Sequence, residues 1–288
     1  MSSLAIIDLG SNSTRLLIPP GERRERITGL GRSGFGNTGL ERTLAAVDEY
    51  LELAAERNVE RVAAVATSAV RDAGPAAAAL AAELERRRVE LYVLTGEEEA
   101  ALTFAGATLD LRPGERATVV DVGGGSTEIS SGRAGWNPEW LRSFDLGSVR
   151  CTRDYERFTR ADRKRLAALA LETFHLPPAA RADRLIAAGG TATTLAGLLS
   201  GGDSLEIHRI GLNDVETLLD ELEPLSPGEI SSRYAVPLLR AQVFRAGLTL
   251  LASAVRACGH ESFTVSKKDL LDGTAHDLKN GVGILSQR

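Results

Sequence analysis

The chain has 288 residues, of which 43% are hydrophobic and 25% are charged, and its formal net charge is −5. This size fits one large or two ordinary globular domains, and no uninterrupted apolar run reaches the ~18 residues of a membrane span. The acidic balance argues against a nucleic-acid polymer as partner, and the N-terminus shows no signal-peptide pattern, so we expect a cytoplasmic protein with no membrane partner.

Strands and helices alternate through the first 116 residues. Apolar and alternating runs predict strands at 4–8, 14–18, 26–30, 61–66 and 90–94. Capping boxes at Thr38–Glu41 and Thr95–Glu98 predict the starts of two helices, and a further helix is predicted over 75–88. The order β-β-β-α-β-α-β-α indicates a mixed sheet with helices, which we assign to an α/β domain at 1–116.

Residues 117–288 begin with a second hairpin and are assigned to a second α/β domain. Further strands are predicted at 141–144, 184–188 and 262–265. Helices are predicted at 145–158, 159–176, 192–199, 213–222, 234–257 and 268–278. The last of these is a candidate to pack back on the first domain.

One strand–turn–strand unit occurs twice, with an aspartate at the strand end followed by glycine and hydroxyl residues. The two copies are Asp8-Leu9-Gly10-Ser11-Asn12-Ser13-Thr14 and Asp121-Val122-Gly123-Gly124-Gly125-Ser126-Thr127. Glycine exposes backbone N–H groups to an anion, serine and threonine add donors, and a nearby carboxylate is a natural ligand for phosphate-bound Mg²⁺. Two ordinary hairpins with glycine turns are the alternative, which the duplication disfavours.

Two familiar glycine loops do not fit these turns. A dinucleotide-binding loop opens a helix, whereas residues 126–130 alternate as a strand does. A P-loop ends in Gly-Lys-Ser/Thr, which follows neither turn. The prediction that remains is a pair of similar turns around one phosphate site.

Three other segments are candidates for the same site. The polar stretch 67–72 follows a predicted strand, where α/β proteins place ligands, and Gly189-Gly190-Thr191 precedes a helix whose N-terminus offers backbone donors. Glu97, Glu98 and Glu99 begin another helix, and because they lie about 100° apart they cannot all face one site. If Glu98 caps the helix, Glu99 is free to point elsewhere; the alternative is an acidic first turn stabilised by the helix dipole.

Six motifs in this order resemble the exopolyphosphatase/guanosine pentaphosphate phosphohydrolase (Ppx/GppA) family of the actin–Hsp70–sugar kinase superfamily. They are Asp-Leu-Gly-Ser-Asn-Ser (8–13), Ala-Thr-Ser-Ala-Val-Arg-Asp-Ala (66–73), Leu-Thr-Gly-Glu-Glu-Glu-Ala (94–100), Val-Asp-Val-Gly-Gly-Gly-Ser-Thr-Glu (120–128), Asp-Leu-Gly-Ser-Val (145–149) and Ala-Gly-Gly-Thr (188–191). The resemblance implies two ribonuclease-H-like domains with an interdomain cleft. It also implies Mg²⁺-dependent hydrolysis of the terminal phosphoanhydride of polyphosphate, guanosine pentaphosphate or both.

The resemblance further implies roles for individual residues. Glu99 matches the general base, Asp121 and Glu128 match carboxylates that hold metal and water, and Arg71 matches a phosphate clamp. The phosphate-holding turns are 10–13 and 123–126, and we add Asp8 as a third metal ligand because it stands at the equivalent strand end. The chain departs from the family pattern at Leu271, where an arginine is usual.

Two other functions stay open at this point. An ATP-dependent kinase of the same superfamily would use Gly189-Gly190-Thr191 near an adenosine. A non-catalytic sensor of polyphosphate or of the guanosine alarmone would explain the changed 267–271 segment. A homodimer is likewise left open.

Overall fold

The computed structural model describes residues 3–32, 37–152, 154, 156–201, 209–280 and 283–285. Their strands form two mixed sheets, one from each half of the chain. Helices surround both sheets, and the predicted α/β class with a cleft between two units is confirmed.

The first sheet contains five strands. These are β1 (Leu4–Leu9), β2 (Ser13–Ile18), β3 (Glu22–Ile27), β4 (Arg61–Ala66) and β5 (Glu90–Val93), and they lie side by side in the order β3-β2-β1-β4-β5. The accompanying helices are α1 (Asn37–Glu56), α2 (Ser68–Arg71), α3 (Pro75–Arg86) and α4 (Gly96–Ala107). Strand β1 pairs with the parallel strand β4 on one side and with the antiparallel strand β2 on the other. The carboxyl end of β1 therefore lies at the edge of the sheet where α/β proteins bind ligands.

The second sheet contains six strands. These are β6 (Arg116–Val122), β7 (Thr127–Arg133), β8 (Trp140–Phe144), β9 (Leu185–Ala188), β10 (Arg209–Gly211) and β11 (Ser262–Val265), in the order β10-β11-β9-β6-β7-β8. Its helices are α5 (Arg160–Thr173), α6 (Gly189–Leu199), α7 (Leu212–Leu222), α8 (Pro227–Tyr234) and α9 (Leu238–Ala257), and α10 (Leu270–Asn280) ends the series. The β6–β7 hairpin and the parallel pairing of β6 with β9 repeat the arrangement of the first sheet.

Helices α4 and α10 join the two units. A Cβ atom on Gly106 would lie 1.9 Å from the Asp269 carbonyl oxygen, and one on Gly273 would lie 1.8 Å from that of Leu102, so both glycines permit direct backbone contact. Leu102 and Leu271 pack in an apolar cluster with β1 and β4. The opposite side of α4 packs on β6 and β9 in a second cluster. The helix that carries Glu99 is therefore fixed to both sheets.

Several predicted elements differ from the structure. Residues 145–158 form no helix where they are described, because the N–H groups of Ser148, Val149 and Arg150 donate to carbonyls of the second glycine turn instead. The helix predicted over 234–257 begins only at Leu238 as α9, since Pro237 caps it, and Tyr234 instead ends the separate helix α8. The polar stretch 67–72 contains the short helix α2, and α1 begins before Thr38, which therefore does not cap it.

Helix α9 is apolar along most of its length. Within the described residues it alone has the length and composition to cross a membrane, with a mean hydropathy of 1.3 over 18 residues. Because 83% of that window is buried inside the protein, α9 has the character of a core helix.

Candidate active site

The two glycine turns have the same geometry and lie against each other. The Gly10 N–H donates to the Ser13 carbonyl at 3.0 Å, and the Gly123 N–H donates to the Ser126 carbonyl at 3.0 Å. A Cβ atom on Gly124 would lie 2.7 Å from Cβ of Ser11, so the turns meet closely. The duplicated unit therefore forms the two facing walls of one cleft.

Backbone donors of both turns are available to a ligand. Within the described residues, the N–H groups of Ser11, Asn12, Gly124 and Gly125 donate no hydrogen bond. Most buried N–H groups in proteins are paired, so free donors on both sides of a cleft indicate an anion site. The Ser11 and Ser68 hydroxyls, 3.1 Å apart, add polar groups from the first turn and from α2.

Carboxyl groups occupy the floor of the cleft. Asp8, Glu99 and Asp121 line it together with the turn residues Gly10, Ser11, Asn12, Ser13, Gly123, Gly124 and Ser126. Glu128 lies behind this surface as the cross-strand partner of Asp121, and paired residues of neighbouring strands point to the same face of the sheet. The structure thus brings the four predicted acidic residues together.

Burial raises the pKa values of the carboxyls on the second hairpin. Loss of water contact, with repulsion from Glu128, raises the pKa of Asp121 to about 7. Burial also raises the pKa of Glu128 to about 7, although hydrogen bonds from Ser143 and Ser126 oppose the shift. Two adjacent carboxyls that ionise with difficulty form a site that a bound cation would neutralise.

Glu99 is placed on the cleft surface by the first turn of α4. The predicted capping box is present, with Thr95 Oγ1 accepting from the Glu98 N–H and Glu98 Oε2 accepting from the Thr95 N–H, so Glu98 is occupied at the helix end. Glu99 is 8% exposed, and its Oε2 atom has no hydrogen-bond partner within the described residues. Burial and the neighbouring Glu128 raise the pKa of Glu99 well above its ordinary value, so the carboxyl has a high affinity for a proton.

Three predicted residues do not reach the cleft surface. Arg71 donates to the Leu94 carbonyl at 2.7 Å and lies 3.5 Å from Glu99 Oε2, so it balances the Glu99 charge from behind. Gly125 packs against Ser68, since a Cβ atom there would lie 2.2 Å from the Ser68 Oγ atom. Glu128 accepts a hydrogen bond from Ser143 at 2.7 Å.

The two hairpins carry opposite charges at one equivalent position, which the sequence analysis did not single out. Arg15 is the cross-strand partner of Asp8, whereas Glu128 is the partner of Asp121. Arg15 donates to Asp8 Oδ2 through Nε at 2.8 Å and Nη2 at 2.6 Å, and it also pairs with Asp269 at the start of α10. The first hairpin thus carries its own cation, while the second places two acids together. A gap-free comparison of the copies beyond the turn would have revealed the exchange.

A second guanidinium was also missed. Arg240 of α9 lies over Gly190, with Nη1 donating to the Gly190 carbonyl at 3.1 Å and to Thr194 at 2.7 Å, and it pairs with Glu25 of β3 across the cleft. The predicted Gly189-Gly190-Thr191 segment lines the same cleft. Gly189 has φ of 77°, and a Cβ atom there would lie 2.1 Å from Asp121 Oδ1, so only glycine makes room for that carboxylate.

The donor set fits Mg²⁺ in part. Asp121 and Glu128 are cross-strand neighbours, and no cation on their own hairpin is paired with them. In the part of the chain that the structure describes, the buried Asp8 Oδ1 atom has no hydrogen-bond partner. No group of three or more His, Cys, Asp or Glu residues within the described part of the chain has the arrangement of a complete metal site. Mg²⁺ usually completes its octahedron with water and substrate phosphate, so two carboxylates agree with that habit.

Comparison with known proteins identifies one phosphatase family along most of this chain. The profile of the Ppx/GppA phosphatase family matches residues 32–279. Exopolyphosphatase 2 of Mycobacterium tuberculosis is 34% identical, over 96% of this chain and 99% of that protein. The crystal structure of the Aquifex aeolicus Ppx/GppA family member, 27% identical, has a TM-score of 0.74 over 98% of this chain and 99% of its own. An exopolyphosphatase structure from Cytophaga hutchinsonii, 23% identical, covers 98% of this chain and 99% of its own. Its TM-score of 0.86 shows that it shares the fold.

Proposed function

Because the chain belongs to the Ppx/GppA phosphatase family, we propose that it hydrolyses the terminal phosphoanhydride bond of inorganic polyphosphate with the help of Mg²⁺. The observation that carries the proposal is the pair of facing glycine turns with free N–H donors, which line one cleft with Glu99. Within the described residues, the Oε2 atom of Glu99 has no hydrogen-bond partner. A relative that is 34% identical over nearly its whole length bears the name exopolyphosphatase, which supports the choice of substrate.

The turns would hold the terminal phosphate. Free N–H groups of Ser11, Asn12 and Gly124 belong to the two turns that line the cleft, and such preorganised donors stabilise the charge that builds on a transferring phosphoryl group. Arg240 and Arg15 line the same cleft and add positive charge near the phosphate oxygens. Binding between two separate domains would also orient the scissile bond relative to α4.

Glu99 would act on the attacking water. Its raised pKa makes it a strong enough base to take a proton from water, and a positioned general base contributes on the order of 10²–10⁴ in rate. Glu128 sustains that pKa by repulsion, whereas Arg71 at 3.5 Å lowers it and keeps it from rising further. The proton leaves the water for Glu99 as the new phosphorus–oxygen bond forms, and the shortened phosphate chain departs.

Asp121 and Glu128, with the free Oδ1 atom of Asp8, would hold the metal ion. When bound, Mg²⁺ neutralises phosphate charge and polarises the phosphoryl oxygens. Asp121 and Glu128 repel each other when both are ionised, so the ion would also remove an unfavourable interaction from the folded protein.

A substrate panel tests the proposal. Phosphate release from long-chain polyphosphate, tripolyphosphate, guanosine pentaphosphate and ATP is measured with Mg²⁺ and with EDTA, using Glu99→Gln as the inactive control. We expect Mg²⁺-dependent release from polyphosphate that the variant lacks. Guanosine pentaphosphate carries the same terminal bond and is the second substrate that the family motifs imply. Binding of polyphosphate without any turnover would identify a sensor instead, and sugar phosphorylation from ATP would identify a kinase.

A further inference from the structure

Two clusters of arginines in the sequence, at 23–26 and at 86–88, are largely neutralised in the fold. In the first cluster, Arg24 pairs with Glu22 at 2.7 Å, Arg26 pairs with Glu49 at 2.8 Å, and Arg23 pairs with Asp272. In the second cluster, Arg86 and Arg87 both pair with Glu83. Neither cluster offers a free track for a polyanion.

A different set of arginines converges in space. Arg116 at the start of β6, Arg181 and Arg184 before β9, and Arg209 on β10 line one groove of about 610 Å³. These segments are far apart in the chain but adjacent in the sheet order β10-β11-β9-β6. Arg116 and the residues before β9 lie at the strand ends that point away from the cleft, and Arg116 is roughly 17 Å from Asp121 at ~3.3 Å per residue along β6. Arg209 lies on the edge strand, level with Thr264 of β11.

Three of these guanidinium groups are exposed and available. Within the described residues, Arg181 and Arg184 make no side-chain hydrogen bond or ion pair, and Arg209 donates to the neutral Ser262 hydroxyl at 2.6 Å. Of the two carboxylates that line the groove, Glu115 pairs with Arg112 at 2.8 Å. Glu115 also interacts electrostatically with Arg184, so Glu115 and Asp183 both oppose the groove's positive charge. Four arginines against two carboxylates still leave the described lining basic on an acidic protein.

We propose that this groove binds a distal segment of a polyphosphate chain whose end occupies the catalytic cleft. The inference rests on the proposed function. Guanidinium groups match phosphate oxygens in geometry and are the usual choice for phosphate recognition. A chain held at two places gains affinity through effective concentration, but only if it is long enough to span both. The groove therefore confers a preference for long chains.

The test compares two triple variants that lower the net charge equally. Arg181→Gln/Arg184→Gln/Arg209→Gln neutralises the groove, and a control triple replaces exposed, ion-paired arginines elsewhere, at positions 24, 86 and 165. Binding of labelled long-chain polyphosphate is titrated in EDTA, with tripolyphosphate and a single-stranded oligonucleotide as competitors, and KM and kcat are measured with Mg²⁺.

The groove variant should bind long chains about tenfold more weakly, the size expected from three modest exposed ion pairs together. Its KM for long chains should rise similarly, with kcat and the KM for tripolyphosphate unchanged. Equal losses in the control variant, or an equal effect on tripolyphosphate, would overturn the inference. So would an oligonucleotide that competes as well as polyphosphate. If the wild type released no phosphate from any chain, the proposed function would fail, while the titration in EDTA would still decide on the groove.

Discussion

Replacing Glu99 by glutamine should inactivate the protein and also stabilise it. Glu99 is buried beside Glu128, Asp8 and Asp121, and a single guanidinium at 3.5 Å opposes this repulsion. A buried carboxylate without a hydrogen-bond partner for one oxygen costs roughly 1–3 kcal/mol, which the neutral amide would recover. At about 2–4 °C per kcal/mol for a chain of this size class, Tm should rise by roughly 5 °C at pH 8. Activity should fall ~10²–10⁴-fold.

The pH dependence of unfolding tests the expected direction of this stability change. Because the folded-state pKa of Glu99 is raised, its stabilising effect is fully present below the unfolded pKa and is lost as pH rises through the folded pKa. The two proteins should therefore unfold at similar temperatures near pH 4 and diverge as pH increases. Thermal unfolding by circular dichroism in EDTA measures this, with the exposed neighbour Glu97→Gln as a control that changes neither Tm nor activity. A variant that is less stable than the wild type at pH 8 would refute the reasoning.

Two further substitutions separate positioning from general stability. Arg15→Met should lower kcat at least tenfold, because Asp8 loses both hydrogen bonds. Arg23 pairs with Asp272 at the start of α10 and does not contact Asp8, so Arg23→Met should lower only Tm. Similar kcat values for the two variants would show that Arg15 is merely structural. Gly189→Ala should abolish phosphate release, since its Cβ would meet Asp121 at 2.1 Å and φ is 77°; retained activity in steady-state assays would argue against a fixed position for that carboxylate.

Local patterns predicted most of the elements that build the site. Alternation and apolar runs located the strands on both sides of each glycine turn, and the Thr95–Glu98 capping box located the start of α4. These signals are local in the chain, so a single sequence contains them. The helix predicted over 145–158 was wrong because its backbone donors serve the second glycine turn, a long-range contact that no local pattern records.

The same distinction explains which site residues were found. Those on the turns and at the helix start were identified from motifs, whereas Arg240 reaches the cleft from α9 and the groove arginines meet only through the sheet order. The positions of Arg71 and Glu128 behind the cleft are likewise a consequence of packing. Motifs predicted which functional groups are present, and the fold determines which of those groups a substrate can contact.

The unequal hairpins lead to a last prediction, about metal binding. Burial raises the pKa of Asp8, but two hydrogen bonds from Arg15 on its own hairpin oppose that rise, so Asp8 would depend less on a bound ion than Asp121 does. Asp121 faces Glu128, and its pKa is raised to about 7. Asp121→Asn should therefore raise the Mg²⁺ concentration for half-maximal activity at least tenfold, a change of about 1.4 kcal/mol. Asp8→Asn should change it by no more than about threefold while lowering kcat, because the loss concerns orientation more than metal affinity.

Mg²⁺ titrations of phosphate release, with calorimetric Mg²⁺ binding as an activity-independent readout, compare the two variants at equal protein concentration. Equal shifts would mean that both strand ends hold the ion symmetrically. That outcome would contradict the view that exchange of one cross-strand partner, arginine for glutamate, gave two copies of the same unit different roles.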